Sequence, residues 1–265
     1  MLLITGHIRS GTTLLRNLCN GHPKLNITME FGNFTGLWQA YPRHSFWLWR
    51  RCFRRRNESF LVDVEHDDVG DDLGWRYRFV LRYLTFLGPG WTTANVPKIE
   101  NAIKRCMAAH SIQPEATILG DKSAFYIYHL DQLVQRENIQ CVVIYRDCRD
   151  VVSSTLRRVR TDWRGRSFTT QYDSAEKAAR RWVDAIEAME KHRDRIVCLR
   201  YEDLIQNPAQ VLEALAERIG ISADGFPIGM VQPDRIGKHR LGLTLAELDV
   251  VNKTAGATML RLGYQ

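Results

Sequence analysis

The 265-residue chain is notable first for what is missing: it has no C-x-x-C pair, no long apolar run, few lysines, and no lysine in the glycine loop near its start. The six cysteines (Cys19, Cys52, Cys106, Cys141, Cys148 and Cys198) are scattered, which excludes a zinc-ribbon or dithiol redox motif and predicts reduced, mostly buried thiols. No apolar run approaches the roughly 18 to 20 residues that span a bilayer, and no basic-then-apolar leader precedes the first strand, so a soluble, cytoplasmic protein is expected. Lysine is scarce because 29 of the 37 basic residues are arginine, in a chain of net charge +7. Arginine presents a planar fork of donors that fits phosphate, sulfate or carboxylate in a bidentate way. Nucleic acid is the rival ligand for such a charge, but the arginines are spread along the chain without a zinc-finger, basic-zipper or RNA-recognition signature, which favours a nucleotide cofactor.

What is present begins with Gly6-His7-Ile8-Arg9-Ser10-Gly11-Thr12-Thr13, the G-x-x-x-x-G frame of a phosphate-cradling loop, with Thr12 where a nucleotide triphosphatase has its lysine. Leu2 to Thr5 before it suits a buried strand, and Thr12 to Asn20 after it carries Leu14, Leu15 and Leu18 at helical spacing. Strand, glycine loop and helix in this order deliver an anion to the unpaired N–H groups of a helix N-terminus. Without the lysine, Arg9 is the only formal cation of the loop. The loop therefore suits phosphate without a triphosphate.

Further along, strands and helices alternate. Ala116 to Leu119, Gln140 to Tyr145 and Arg195 to Leu199 read as short strands; Phe125 to Glu137, 174 to 193, Ala209 to Ile219 and 245 to 261 read as helices. Asp173 with Glu176 and Thr244 with Glu247 form capping-box signals, and Gly220 ends its helix. The predicted fold is α/β: a P-loop-like parallel sheet flanked by helices on both faces, in a single domain of 1–265. Its core comprises 1–30 and 115–265, with a helical insertion over 31–110. The strand ending at Tyr145 runs directly into Arg146, and a helix starting near Arg149 carries Ser154, so the two residues converge on the carboxyl edge of the sheet as a second anion clamp. Cys148, near Arg146 and Arg149, is the thiol whose neighbours would lower its pKa.

Together these stretches resemble the sulfotransferases that use 3′-phosphoadenosine 5′-phosphosulfate (PAPS). Arg9 to Leu15 is similar to their 5′-phosphosulfate loop, with Arg9, Ser10, Gly11, Thr12 and Thr13 as cofactor contacts, and Arg146 with Ser154 is similar to their 3′-phosphate motif. The resemblance also places Tyr201 near the adenine and Arg235 to Lys238 in a late basic-glycine loop that closes over the 3′-phosphate. His22-Pro23 and the arginine in the loop are similar to the tyrosylprotein sulfotransferases and their bacterial relatives, which implies Glu30 as general base. Asp121-Lys122-Ser123 resembles a stretch carrying a catalytic lysine, which implies that role for Lys122; His66, His110 and His129 are reserve candidates for the base.

Sulfuryl transfer to a hydroxyl needs in-line positioning, stabilisation of charge on the leaving phosphate and removal of a proton, which Arg9, Lys122 and Glu30 would supply with no metal. The structural alternatives are Glu30 as a helix cap and Lys122 as a surface charge paired to Asp121. The acceptor expected is a metabolite, a carbohydrate or glycan, or a phenol such as tyrosine. Five of the seven tryptophans (Trp38, Trp47, Trp49, Trp75 and Trp91) lie near Arg50 to Arg56, which suits an acceptor lid, a packed insertion or an interfacial helix. The acidic run Asp63 to Asp72 shows no ligand spacing for a metal and reads as a solvated loop. A P-loop nucleotide kinase and a non-catalytic nucleotide-binding protein are the competing classes.

Overall fold

The computed structural model describes residues 1–29, 101, 105, 115–165, 167–233 and 236–264. Five parallel strands stand in the order β2-β3-β1-β4-β5, formed by β1 (Leu2–Thr5), β2 (Leu25–Met29), β3 (Ile118–Lys122), β4 (Gln140–Tyr145) and β5 (Val197–Arg200). The helices that matter to the site are α1 (Thr12–Asn20), α2 (Leu130–Leu133), α3 (Cys148–Arg160), α4 (Ala175–Lys191), α5 (Tyr201–Gln206), α6 (Pro208–Ile219), α7 (His239–Gly242) and α8 (Leu245–Arg261).

Successive side chains of a strand point to opposite faces, and here both faces are covered, which is why the central β1 and β4 are mostly apolar. Leu2, Ile4, Val142 and Ile144 pack with Leu15 and Leu18 of α1 and with α5 and α6. Leu3, Cys141 and Val143 pack on the other side with α3, α4 and α8, around the fully buried Trp182. The predicted α/β sheet with helices on both faces is the fold observed.

Local boundaries depart from the sequence-based reading where tertiary contacts decide. β2 was not anticipated, because Asn26 interrupts its apolar run; yet Asn20 of α1 fixes it, accepting from the Ile27 N–H (2.7 Å) and donating to the Ile27 carbonyl (3.1 Å). The predicted strand Ala116 to Leu119 is shifted to Ile118–Lys122, since pairing with β1 and β2 on either side carries the polar Asp121 and Lys122 into the sheet. The predicted helix Phe125 to Glu137 is a 3₁₀ turn (Ala124–His129) followed by the single turn α2. Its aromatic and β-branched start favours helix weakly, and Ser123 Oγ accepts from the Phe125 N–H instead. At α4 the cap is Ser174, which accepts from the Lys177 N–H, whereas Asp173 pairs with Lys177 Nζ at 2.8 Å. The predicted box of Asp173 with Glu176 is therefore not formed.

The other box is complete. Thr244 Oγ1 accepts from the Glu247 N–H (3.2 Å) and Glu247 accepts from the Thr244 N–H (2.9 Å), starting α8, which packs on α4. Thr244→Ala is expected to cost about 1 kcal/mol and lower Tm by roughly 2 to 4 °C, read by thermal unfolding. An unchanged Tm would show that the box contributes nothing.

Candidate active site

The glycine loop leaves β1 at the carboxyl edge of the sheet and enters α1. Gly6 sits so close to β4 that a Cβ there would lie 2.1 Å from the Ile144 carbonyl oxygen. Gly11 is the N-cap of α1 at φ 101°, and no side chain caps the helix or places an acid in its first turn. The first N–H groups of α1 are thus presented to an outside anion. Arg9 is held at φ 68°, in the left-handed region that a non-glycine residue rarely occupies.

The loop carries one positive charge. His7 is buried, its Nδ1–H donates to the Ile8 carbonyl (2.8 Å), and burial pushes its pKa down to about 4, so it is neutral. Arg9 Nε donates to Ser154 Oγ at 3.0 Å, joining the two predicted anion motifs directly. Burial first, then the charges of Arg158, Arg157 and Arg146, push Arg9 down to about 10. A guanidinium so depressed is a cation whose neighbours repel it, and an anion is what would relieve the repulsion.

Arg146 follows β4. Its guanidinium lies 4.4 Å from the centre of the Tyr201 ring, its Nη2 pairs with Asp150 at 2.8 Å, and its carbonyl accepts from the Trp182 indole N–H at 2.9 Å. Tyr201, the first residue of α5, also backs the loop: a Cβ on Gly11 would lie 2.4 Å from its Cδ2. The neighbouring turn is braced by Glu202, which accepts from the Asp147 N–H (3.0 Å) and the Tyr264 hydroxyl (2.9 Å) while burial raises its pKa.

The structure therefore brings Arg9, Gly11, Arg146, Ser154 and Tyr201 together. Ser10 is fully buried and Thr12 nearly so, whereas Thr13 is exposed on the first turn of α1. Lys122 ends β3 opposite Ile4 of β1, at the same edge as the loop, and is only 4% exposed. Lys122 is therefore not a surface charge; the Asp121 carboxylate accepts from the Tyr126 hydroxyl. His129 closes the 3₁₀ turn, half-buried, and burial lowers its pKa. Lys238 is exposed in the loop before α7. Glu30, Arg235, His66, His110, the tryptophan- and arginine-rich stretch, the acidic run, Cys52 and Cys106 lie outside the described residues. Cys148 is corrected: its thiol is fully buried, and burial with the Asp147 charge raises its pKa well above the ordinary value despite Arg149.

Four participants were missed in the sequence: Asp150, His239, Arg157 and Arg158. Asp150 and Ser154 lie four and eight residues after Arg146, a helical spacing that points to one face, and Arg157 and Arg158 extend it by a turn. His239 has no such local signal.

A parallel α/β sheet thus carries a glycine loop at its carboxyl edge, with the Arg146 guanidinium and Ser154 beside it. The sulfotransferase family model matches residues 2–225, and the chain belongs to that family, a sulfotransferase that moves a sulfuryl group to its acceptor. Among solved structures it is similar to the sulfotransferase domain from the Synechococcus PCC 7002 olefin synthase, at 20% identity and TM-score 0.51, with 96% of this chain and 94% of that one covered. It is also similar to the sulfotransferase domain from the curacin biosynthetic pathway (16% identity, TM-score 0.54, 100% and 98% covered) and to the sulfotransferase STF9 from Mycobacterium avium (11%, 0.54, 100% and 77%). At such identities the likeness is one of fold. A search of curated proteins finds no match. Among the described residues no helix is long and apolar enough to cross a membrane.

Proposed function

We propose that this sulfotransferase takes its sulfuryl group from PAPS and passes it to a hydroxyl acceptor, leaving 3′-phosphoadenosine 5′-phosphate (PAP). The observation that carries the reading is the hydrogen bond from Arg9 to Ser154, with Arg9 buried close enough to Arg158, Arg157 and Arg146 for their charges to lower its pKa. One contiguous positive site thus spans both anion motifs, which suits a nucleotide with phosphate at both the 5′ and the 3′ position. The residues fit such a ligand. Ser10 Oγ is buried with no hydrogen-bond partner among the described residues, which is costly unless a ligand atom takes it up.

In this reading Arg9, Ser10 and the N–H groups of Gly11, Thr12 and Thr13 hold the 5′-phosphosulfate, Arg146 and Ser154 hold the 3′-phosphate, and Tyr201 packs near the adenine. Arg235 and Lys238 complete the 3′-phosphate side. When bound, the phosphosulfate supplies the activated sulfuryl group. Arg9 would stabilise charge gathering on the leaving phosphate, and Lys122, at the end of the neighbouring strand, the transferring oxygens. Glu30, which follows the last residue of β2, would accept the acceptor's proton, and 31–110 would bind the acceptor, a metabolite, carbohydrate or phenol.

Thermal shifts with PAP, 5′-AMP and ATP plus Mg²⁺ test the donor. PAP is expected to stabilise most, by about 2.7 kcal/mol at a hundredfold excess over its Kd. Equal stabilisation by AMP would overturn the 3′-phosphate assignment, and preference for ATP plus Mg²⁺ would favour the kinase. Glu30→Gln is expected to keep PAP affinity while turnover drops by about 10²- to 10⁴-fold. Full turnover would remove Glu30 as base.

A further inference from the structure

Asp150 is a buried acid at the edge of a site built from arginines, and the roles assigned above leave it without one. A carboxylate beside a phosphate site repels the ligand, so its presence calls for a compensating purpose. Its side chain is 1% exposed and both oxygens are engaged. Oδ2 accepts from Arg146 Nη2 (2.8 Å) and from the Gly237 N–H (2.9 Å). Oδ1 accepts from the His239 N–H (2.9 Å) and lies 2.8 Å from His239 Nδ1.

These donors come from two segments far apart in sequence, Asp150 itself lying 87 positions from Gly237 and 89 from His239. One is the turn between β4 and α3, which carries the anion-binding Arg146. The other is the loop before α7, where Lys238 lies between the two residues that Asp150 grips. Burial alone would raise the Asp150 carboxyl, but the His239 N–H and the charge of Arg146 outweigh it and hold it below the usual range. A carboxylate this enclosed is tolerated in a fold because its donors are all in place, so losing one set destabilises the others.

We infer that Asp150 is a positioning residue for the anion site: it aims Arg146 and latches the loop over 237–239 onto α3, so that clamp and loop act on the ligand as one unit. The inference rests on the reading of that site as the seat of a 3′-phosphate.

The test uses the full chain and measures Kd for PAP and for 5′-AMP, with amide exchange at Gly237 and His239. For Asp150→Asn, PAP binding is expected to weaken by about 10- to 100-fold, the loss of charge-assisted bonds, while AMP binding stays within about twofold. His239→Ala removes one arm and keeps the backbone bonds, so a loss of about fivefold for PAP alone is expected; it decides the matter if Asp150→Asn does not fold. Exchange at Gly237 and at position 239 is expected to speed up strongly in Asp150→Asn and slightly in His239→Ala. An unchanged preference for PAP over AMP, or equal weakening of both nucleotides, would overturn the positioning role. If the wild type itself does not prefer PAP, the 3′-phosphate reading has failed; amide exchange then still decides the latch, faster exchange in the variants supporting it and unchanged exchange overturning it.

Discussion

Replacing Arg9 by glutamine is expected to slow turnover by about 10²- to 10³-fold, the usual cost of losing one preorganised donor at developing charge, and yet to make the ligand-free protein more heat-stable. The two effects have opposite signs because they belong to different states. Without ligand, burial and the charges of Arg158, Arg157 and Arg146 hold the Arg9 pKa at about 10, below the ordinary arginine value. The folded protein therefore binds this proton less tightly than the unfolded chain does. At neutral pH both states carry the charge, so the whole penalty falls on the fold, and it is relieved only as pH rises through 10 toward the ordinary arginine value. At about 1.4 kcal/mol per unit the penalty is on the order of 3 kcal/mol, of which the bond to Ser154 returns about 1. Relief of the remainder is expected to raise Tm by roughly 4 to 8 °C for a chain of this size. With PAP bound the sign reverses, because the anion turns repulsion into attraction. Differential scanning fluorimetry with and without PAP, together with steady-state turnover, measures all three effects. A lower Tm in the ligand-free variant would show that Arg9 is compensated in the fold, and unchanged turnover would remove it from the chemistry.

The parts of the fold that the sequence revealed are those fixed by local signals. β1 and β4 are continuous apolar runs, α1 follows a glycine loop, and α8 has a complete capping box; each lies where the residues predict. What stayed hidden depends on partners distant in the chain. β2 exists because α1 supplies Asn20 to both polar groups of Ile27. Lys122 belongs to a strand because β1 and β2 flank it. The site divides in the same way. Arg9, Arg146 and Ser154 carry recognisable spacing, and their motifs suggested two separate anion clamps; the bond between Arg9 and Ser154 joins them into one. Asp150 was hidden for a different reason, since an acid within a basic motif reads as neutralisation until its hold on Gly237 and His239 is seen.

That joining also sets the expected result of Gly11→Ala, a substitution of one methyl group. At φ 101° an L-residue is strained by about 1 to 2 kcal/mol. The new Cβ would also lie 2.4 Å from Tyr201 Cδ2 and 2.8 Å from Cε2. These are atoms of a ring that is 5% exposed and has the Arg146 guanidinium 4.4 Å from its centre, so the ring cannot move aside without disturbing that arginine. Overpacking of this kind typically adds 1 to 3 kcal/mol, giving an expected destabilisation of about 2 to 5 kcal/mol. In the proposed reading the methyl group is introduced on the 5′ side, while the displacement runs through Tyr201 to Arg146 on the 3′ side. PAP affinity is therefore expected to fall by about 10²-fold or more, with AMP losing less, because in the proposed reading AMP would not use the Arg146 side. A double-mutant cycle with Tyr201→Ala separates the two contributions. Removing the ring should recover the overpacking share of the stability loss and leave the backbone strain, so the two substitutions should couple by roughly 1 to 3 kcal/mol. Strict additivity would mean that the Tyr201 ring does not carry the overpacking, and the path from Gly11 through that ring to Arg146 would be lost.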